Sequence, residues 1–471
     1  MMTDPMLRPP PTWLTTALAV SLCVSGCSSL WRPTAKPVPP APSAAIVLSA
    51  PGRDAISPEV DPAWWTLFND PVLNGLQNQL NQDHLNLQRM ATRVRQAQAS
   101  LAAAQSSLWP SVSLQASATR AREAAGSQGP VFGVAAPVRW EWDVWGRVAS
   151  LNAAAQANLQ ASQADLALAR LSAQATLVQT YLALRTAERQ GQVLAQAEQA
   201  YARALTLTRY RHEAGVVSAA DVAQAEVQLA TAQAQKIEVN TTRMQLHHAV
   251  AVLLGLAPAE FLLAEGDWPV LPVLPETISA DVLKRRPDIR AASQRVLAAQ
   301  AQLGVAQAAF FPSLGFSANL GYRSSELSNI FSASSLLWSW GPSMAMQLFD
   351  GGQREAVKAD STAALEAAGI AYREVVLQAL QELEDNLIAA QQLQLQSAAQ
   401  SQALLSAQRN LAIAQAQYSA GTVSFLNVVS AQASALTAER SLLDIQSRQR
   451  LASAQLLKNL AGRWPEQTPA D

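Results

Sequence analysis

The sequence of 471 residues is 49% hydrophobic and only 15% charged, and its 34 basic and 35 acidic side chains leave a formal net charge of −1. Nothing in this balance predicts nucleic-acid binding, because there is no positive excess and no basic cluster. The two cysteines, Cys23 and Cys27, lie near the amino terminus, which excludes thiol catalysis for the body of the chain.

The amino terminus has the pattern of an export signal. An apolar run from Trp13 to Val24 follows Arg8 and has the length of a signal-peptide core. The run ends in Val-Ser-Gly-Cys27, which resembles a bacterial lipobox. That resemblance implies a signal peptide at residues 1–26 and a covalent lipid on Cys27, the first mature residue. The alternative is an ordinary secretory signal with a chance cysteine.

Residues 27–58 are rich in proline, alanine and serine, which predicts an extended tether rather than a packed element. A short aromatic segment around Trp64 and Trp65 follows. The next pattern predicts one helix from about Val72 to Leu108, which Trp109-Pro110 stops because proline disfavours helical geometry in the residue before it.

Four segments have the two-residue period of half-buried strands. The first alternates from Val112 to Ala118, and the second includes Val138, Trp140 and Trp142, so that the two predict a hairpin. The third runs from Leu314 to Tyr322. The fourth is marked by Trp340, Met344, Met346 and Leu348.

Two long stretches of equal length, one after each pair of predicted strands, lie between glycines. Gly146 and Gly215 are as far apart as Gly352 and Gly421 (215 − 146 = 69; 421 − 352 = 69). The stretches contain no proline and consist mainly of residues that favour helices. Each is therefore predicted to be one helix of roughly 100 Å, at about 1.5 Å per residue. Return helices are predicted to end near residues 254 and 460.

The sequence also repeats itself. Phe311-Pro312-Ser313-Leu314 echoes Trp109-Pro110-Ser111-Val112 at an offset of 202 (311 − 109), and such collinear echoes indicate an internal duplication. The predicted organisation is a first repeat at 59–258, an equatorial connector at 259–275, a second repeat at 276–462 and a tail at 463–471.

After the signal there is no apolar run of membrane-helix length. Only a closed barrel remains as a way to cross a bilayer, and four strands per chain are too few to close one. Three chains would supply about twelve strands and an open lumen, which predicts a trimer. Tryptophans in a soluble β core are the alternative explanation of the aromatic strands.

The order of these features, together with several short motifs, is similar to that of a known family. The motifs are Trp64-Trp65 with Phe68 and Asp70-Pro71-Val72-Leu73, Leu254-Gly255 with Pro258, Arg285-Arg286-Pro287-Asp288-Ile289-Arg290, and the two turns at Gly215 and Gly421. The chain resembles the TolC-like outer membrane factors, in particular the lipid-anchored efflux branch of OprM and NodT-like proteins.

The resemblance implies a membrane α+β fold. A homotrimeric outer membrane β-barrel with four strands per chain would be continued by a long periplasmic α-helical barrel. The implied partners are a periplasmic adaptor protein, an inner-membrane pump of the RND type and outer membrane lipid, with no nucleic acid. The implied location is the outer membrane, with a lipid anchor and an extension into the periplasm.

The two turns between long helices are the candidate adaptor-contact site. Glycine suits the left-handed residue that ends a helix, and a serine three residues later suits the cap of the next helix. In the family, the same turns are the periplasmic tips that meet the adaptor. The candidate residues are Gly215, Val216, Val217, Ser218, Gly421, Thr422, Val423 and Ser424.

A periplasmic gate is expected beside the turns, at Tyr418, Asp221 and Asn427. Family members often have aspartates where this chain has Asn427 and Ser430. The closed state is therefore expected either to depend on side-chain packing, Asp221 and Tyr418, or to be leakier to cations. Asp221 could equally be a solvated residue at a helix start.

The sequence predicts neither an enzyme nor a metal site. The four histidines, His84, His212, His247 and His248, have no metal-ligand spacing, and there is no nucleotide-binding or nucleophile motif. No cofactor is expected apart from the lipid. The predicted function is a passive exit duct for small molecules, and the alternatives are a duct for type I protein secretion and a periplasmic coiled-coil scaffold.

Overall fold

The structure, a computed structural model, describes residues 63–122, 128–272 and 285–460. The chain divides into two compact units. The strand unit comprises Pro110–Leu151 and Ala299–Leu365, and the helix unit comprises the other described residues. The predicted signal peptide, Cys27 and the tether at 27–58 lie outside the described residues.

Helices make up most of the described residues. In chain order they are α1 (Pro71–Asp83), α2 (Leu85–Ser106), α3 (Arg147–Glu213), α4 (Ala219–Leu253), α5 (Pro287–Ala308), α6 (Gln353–Ser419) and α7 (Phe425–Leu460). None of them has the combination of length and hydropathy that a membrane-spanning helix requires.

The two long helices are confirmed, since α3 and α6 each contain 67 residues. The glycines that bound them, at positions 146, 215, 352 and 421, have backbone φ angles of 73°, 72°, 91° and 76°. Glycine adopts this left-handed region without the steric cost that a Cβ imposes. The return helices α4 and α7 are confirmed as well, with 35 and 36 residues.

The prediction of one helix from Val72 to Leu108 is wrong. His84 has an extended backbone (φ −63°, ψ 115°) that separates α1 from α2, and its Nδ1 accepts a hydrogen bond from the Leu87 amide at 3.4 Å. Next to the break, a Cβ placed on Gly255 would lie 2.9 Å from the Asp83 carbonyl oxygen. The end of α1 therefore lies so close to the backbone of Gly255 that no residue with a Cβ fits there.

The strands of the strand unit form one antiparallel sheet. Both β1 (Ser111–Val112) and β2 (Gln115–Arg122) pair with β3 (Gln128–Trp142). In turn, β3 pairs with β4 (Ser313–Ser324), and β4 pairs with β5 (Leu336–Ala345). Among the described residues, β5 and the segment formed by β1 and β2 are the two edges of the sheet.

Two strand predictions need correction. The predicted first strand is divided into β1 and β2, although both follow one register on β3. The gap lies opposite Pro137, which accepts a hydrogen bond from Ser113 but has no N–H to donate in return. The fourth strand ends at Ala345, before Met346 and Leu348, because its partner β4 begins at Ser313, directly opposite Ala345.

The pairing gives the sheet two different faces. Residues directly opposite each other share a face, and in every strand pair even-numbered residues oppose even-numbered ones. The even face is mainly apolar and includes Trp140, Phe316 and the strongly exposed Trp338 and Trp340 (69% each). On the odd face, most side chains are serine, glycine, alanine or another small or polar residue.

The helix unit has its main core around the aromatic segment named above, which forms a 3-10 helix at Trp64–Phe68. Trp64 and Phe68 are fully buried. Asp70 caps α1 by accepting hydrogen bonds from the Val72 and Leu73 amides, and its other carboxylate oxygen accepts one from the Tyr181 hydroxyl at 2.6 Å. Burial and this bond raise the pKa of Tyr181 well above its usual value.

The predicted connector begins with an irregular segment, and residues 261–272 contain neither helix nor strand. Two arginines from neighbouring helices hold it. Arg185 of α3 donates to the Ala264 carbonyl at 2.9 Å, and Arg450 of α7 lies 3.9 Å from the centre of the Trp268 ring. The remainder of the connector, from residue 273, lies outside the described part of the chain.

Candidate functional site

The first turn joins α3 to α4. Gly215 ends α3 with its positive φ, and the Val216 amide donates to the Arg211 carbonyl at 2.8 Å. Ser218 caps α4 and forms a reciprocal capping box with Asp221. The Asp221 amide donates to the serine hydroxyl at 3.3 Å, and the Asp221 carboxylate accepts from the Ser218 amide at 3.0 Å. The turn is thus closed by polar contacts of its own residues.

The second turn joins α6 to α7 and has the same backbone. Gly421 has the positive φ, and the Thr422 amide donates to the Gln417 carbonyl at 3.0 Å. Ser424 precedes α7, whose first residue, Phe425, is buried. At the matching place in the first turn, Ala219 is exposed. The second turn is therefore anchored by an apolar side chain.

The structure brings the two turns together within the helix unit. The Arg211 guanidinium lies 4.8 Å from the centre of the Tyr418 ring and is 3.5 Å from the Tyr418 carbonyl oxygen. The Tyr418 ring is in turn 5.4 Å from that of Phe425. Beneath them lies an apolar cluster, here called the turn cluster, formed by Leu205, Ala225, Ala414, Phe425, Val428, Val429 and Ala431.

The predicted contact residues differ in exposure. Val216 is 69% exposed, and the two glycines, the two serines and Thr422 are exposed too. Two of the predicted contact residues, Val217 and Val423, are half-buried rather than fully exposed. Apolar surface at the second turn is contributed instead by Leu426, which follows the buried Phe425 and is 52% exposed.

The three predicted gate residues have different surroundings. Asp221 belongs to the capping box, and Asn427 is exposed at the equivalent place in the second turn. The Tyr418 hydroxyl is buried and has no hydrogen-bond partner among the described residues. An unpaired buried hydroxyl costs about 1–3 kcal/mol. Asp221 is thus engaged at the helix start, and the gate assignment stays a prediction.

Two contributors to the site were missed in the sequence. These are Arg211 and Phe425, which together with Tyr418 join the turns. Aligning the turns on their glycines (421 − 215 = 206) places Phe425 against Ala219 and Asn427 against Asp221. The alignment places Leu426 against Ala220 in the same way, so the replacement of alanine by a large apolar residue marks this place without showing which of the two residues is buried.

The described residues contain no cluster of histidine, cysteine, aspartate and glutamate that could hold a metal ion. Lipid attachment at Cys27 falls outside the described residues and stays a prediction.

Comparison with known proteins adds the evidence that one chain alone lacks. The family described as "Outer membrane efflux protein" matches residues 76–256 and 278–462, which covers most of each predicted repeat. The antibiotic efflux pump outer membrane protein ArpC of Pseudomonas putida is 28% identical over 473 residues, or 96% of each chain. The probable outer membrane lipoprotein SilC of Salmonella typhimurium is 23% identical over 456 residues, covering 96% of this chain and 98% of SilC.

Among solved structures, the outer-membrane channel OprN superposes with a TM-score of 0.84 and 27% identity. The similarity covers 90% of this chain and 98% of OprN. The likeness therefore extends over helices and strands alike.

Proposed function

The chain belongs to the outer membrane efflux protein family, and from this premise we propose that it is the passive outer membrane duct of a small-molecule efflux system. In this proposal, an inner-membrane pump of the RND type provides the energy for transport, and a periplasmic adaptor connects the pump to this chain. The relative ArpC belongs to an antibiotic efflux pump, which favours small molecules over secreted proteins as cargo. No catalytic step is required of this chain.

The observation that carries the proposal is the open, two-faced sheet of the strand unit. Its apolar even face exposes Trp338, Trp340 and Met344, with 69%, 69% and 71% of each residue accessible. An exposed apolar band flanked by aromatic residues is what the lipid-facing side of an outer membrane protein requires. The small and polar odd face suits a water-filled passage.

The two edges of the same sheet, which pair with no further strand in the described residues, support association of several copies. Unpaired backbone N–H and C=O groups at β5 and at the segment formed by β1 and β2 need partners, most of all in lipid. Pairing each edge with the opposite edge of a neighbouring copy satisfies these groups. We propose that three copies close one outer membrane barrel, with four strand segments from each copy, and that their helices continue as a periplasmic duct.

At the periplasmic end, we assign adaptor contact to the two turns. The exposed residues Val216, Ser218, Thr422 and Ser424 lie on a surface stiffened by the turn cluster and by the Arg211–Tyr418 contact. A surface held in one conformation loses little entropy when a partner docks. The gate is assigned to the adjoining Tyr418, Asp221 and Asn427.

We also propose that a lipid on Cys27 attaches the protein to the membrane. The lipobox-like sequence before this cysteine supports the assignment, and so does the similarity to SilC, described as a probable outer membrane lipoprotein. Replacement of Cys27 by alanine should leave an assembled trimer embedded in the membrane, because the proposed barrel needs no anchor. A peripheral scaffold lipoprotein would instead be released by a mild wash.

The proposal is tested by photocrosslinking in living cells from Ser218 and Ser424, with mass spectrometry of the captured proteins. The control position is Thr242, exposed on α4 and roughly 36 Å along the helix from Ser218 at 1.5 Å per residue. Capture of an adaptor of a proton-driven pump at the turns, but not at Thr242, is expected. An adaptor of an ATP-driven exporter would favour protein secretion, and no capture at either turn would remove the turns from the contact site.

A further inference from the structure

The charged side chains of the sheet are almost all positive. The five strands contain four arginines, Arg120, Arg122, Arg139 and Arg323, and one acidic residue, Glu141. The whole chain, by contrast, has a net charge of −1. The strands therefore have a net charge of +3 (4 − 1) because acidic residues are scarce in them.

The polar odd face has two of these arginines. Arg139 of β3 lies between Ser111 and Ser317 of the neighbouring strands, and Arg323 of β4 lies opposite Gly133, which is itself opposite Ser117. Both arginines are exposed. Because six residues separate Arg139 from Gly133 along β3, the two charges lie about 20 Å apart along the strands, at 3.3 Å per residue.

Neither guanidinium is neutralised within the described part of the chain. The acidic residue of the odd face, Glu141, is engaged by Arg147, whose Nε and Nη2 lie 2.8 Å and 2.6 Å from its two carboxylate oxygens. Around Arg139 and Arg323 the directly opposing residues are serine and glycine, which supply no negative charge. Two uncompensated positive charges per chain therefore lie on this face.

We propose that Arg139 and Arg323 make the outer membrane part of the passage selective for anionic solutes. The inference rests on the proposed function, in which three sheets close with the odd face inward. Closure then places three guanidinium groups at each of two levels. Rings of arginine favour anions in pores, and the planar guanidinium pairs well with carboxylate and phosphate groups. The favoured cargo class is organic molecules that bear such groups.

The test measures the electrostatic potential beside each arginine with introduced cysteines. Ser317→Cys reports on Arg139, and Ser117→Cys reports on Arg323, because each serine shares a row of the odd face with that arginine. The full-length protein in outer membranes is treated with anionic or cationic methanethiolsulfonate of similar size, and the two modification rates are compared. Protein without an introduced cysteine gives the background.

We expect both cysteines to react faster with the anionic reagent. Changing Arg139→Gln should lower the anionic-to-cationic rate ratio at Ser317→Cys by roughly tenfold, the lower end of what focused charge does to local ion concentration. Arg323→Gln should act in the same way on Ser117→Cys. The matched control is Arg120→Gln, which removes a strand arginine from the even face and should leave both ratios unchanged.

The possible outcomes separate this inference from the function on which it rests. The anion preference alone is overturned if the cysteines react but Arg139→Gln and Arg323→Gln leave the anionic-to-cationic rate ratios unchanged. It is also overturned if Arg120→Gln changes these ratios equally. A water-accessible Ala318→Cys on the even face, together with unreactive Ser317→Cys and Ser117→Cys, would overturn the proposed orientation of the sheet. Reading the rates from the outer side makes the test independent of the periplasmic gate.

Discussion

The two turns have the same backbone and are stabilised by different chemistry. Both have a glycine with φ near 75° and a serine three residues later. The first turn is closed by the Ser218–Asp221 capping box, whereas the second inserts Phe425 into the turn cluster. The two turns thus share a chain path, although the first is stabilised by polar capping and the second by an apolar anchor.

Equivalent positions in the two turns should therefore not be interchangeable. An exposed capping box can exchange its partners with water at small cost, whereas a buried aromatic ring cannot be removed without leaving a cavity. The second turn should therefore govern the stability of the pair. Arg211 extends that dependence to the first turn through its contact with Tyr418.

The largest effect is expected from Phe425→Ala. Removing the ring should lower the local free energy of opening at the second turn by about 3–4 kcal/mol, as is usual for truncating a buried phenylalanine. Hydrogen exchange of peptides covering 411–436 measures it. The matched control is Ala219→Gly at the equivalent exposed position, for which about 1 kcal/mol or less is expected. Equal losses for the two variants would contradict this difference between the turns.

Substituting the turn glycines should affect both turns alike. Gly215→Ala and Gly421→Ala should each cost about 1–2 kcal/mol, because an L-residue is strained at positive φ. Open space around both positions means that no clash adds to this cost. Gly369→Ala, inside helix α6 and also in open space, should instead stabilise its helix by up to about 1 kcal/mol. Hydrogen exchange at the three sites gives the comparison.

The capping box can be removed from one turn and built into the other. Asp221→Ala should destabilise the start of α4 by about 1 kcal/mol, the usual value of a cap. Asn427→Asp should stabilise the start of α7 by about 0.5 kcal/mol, since Ser424 already occupies the capping position three residues earlier. Amide exchange in the first turn of each helix is the measurement. A gain at α4 or a loss at α7 would show that the turns are not equivalent in backbone.

The smallest effect is expected from Tyr418→Phe. Its hydroxyl is buried without a partner among the described residues, so its removal should leave local stability unchanged or raise it by up to about 1 kcal/mol. Tyr181→Phe is the contrasting variant, because it breaks the hydrogen bond to Asp70 and should cost about 1–2 kcal/mol. A clear loss for Tyr418→Phe would indicate that the hydroxyl has a partner outside the described residues.

Much of the fold could be predicted because its signals are local. The absence of proline and the bounding glycines Gly146, Gly215, Gly352 and Gly421 were sufficient to place α3 and α6. Alternation of apolar and polar residues located the strands. These features depend on the backbone preferences of neighbouring residues, so a single sequence displays them.

What could not be predicted depends on contacts between distant residues. The break at His84 interrupts a pattern that is helical on both sides, and its place beside Gly255 is set by tertiary packing. In the same way, no local pattern distinguishes the buried Phe425 from the exposed Leu426 that follows it. The candidate turns were found from glycine and serine, whereas the Arg211–Tyr418 contact that joins them required coordinates.

The hydrogen bonds of the helix unit also set an order of events in folding. Asp70, the cap of α1, accepts a hydrogen bond from the hydroxyl of Tyr181, which lies 111 residues later in the chain. The hydroxyl of Thr186 in α3 is hydrogen-bonded to that of Ser447 in α7, 261 residues later. Contacts between such distant residues form slowly, because a long loop must close first. The amino-terminal half therefore cannot complete these contacts until the chain is available as far as Ser447.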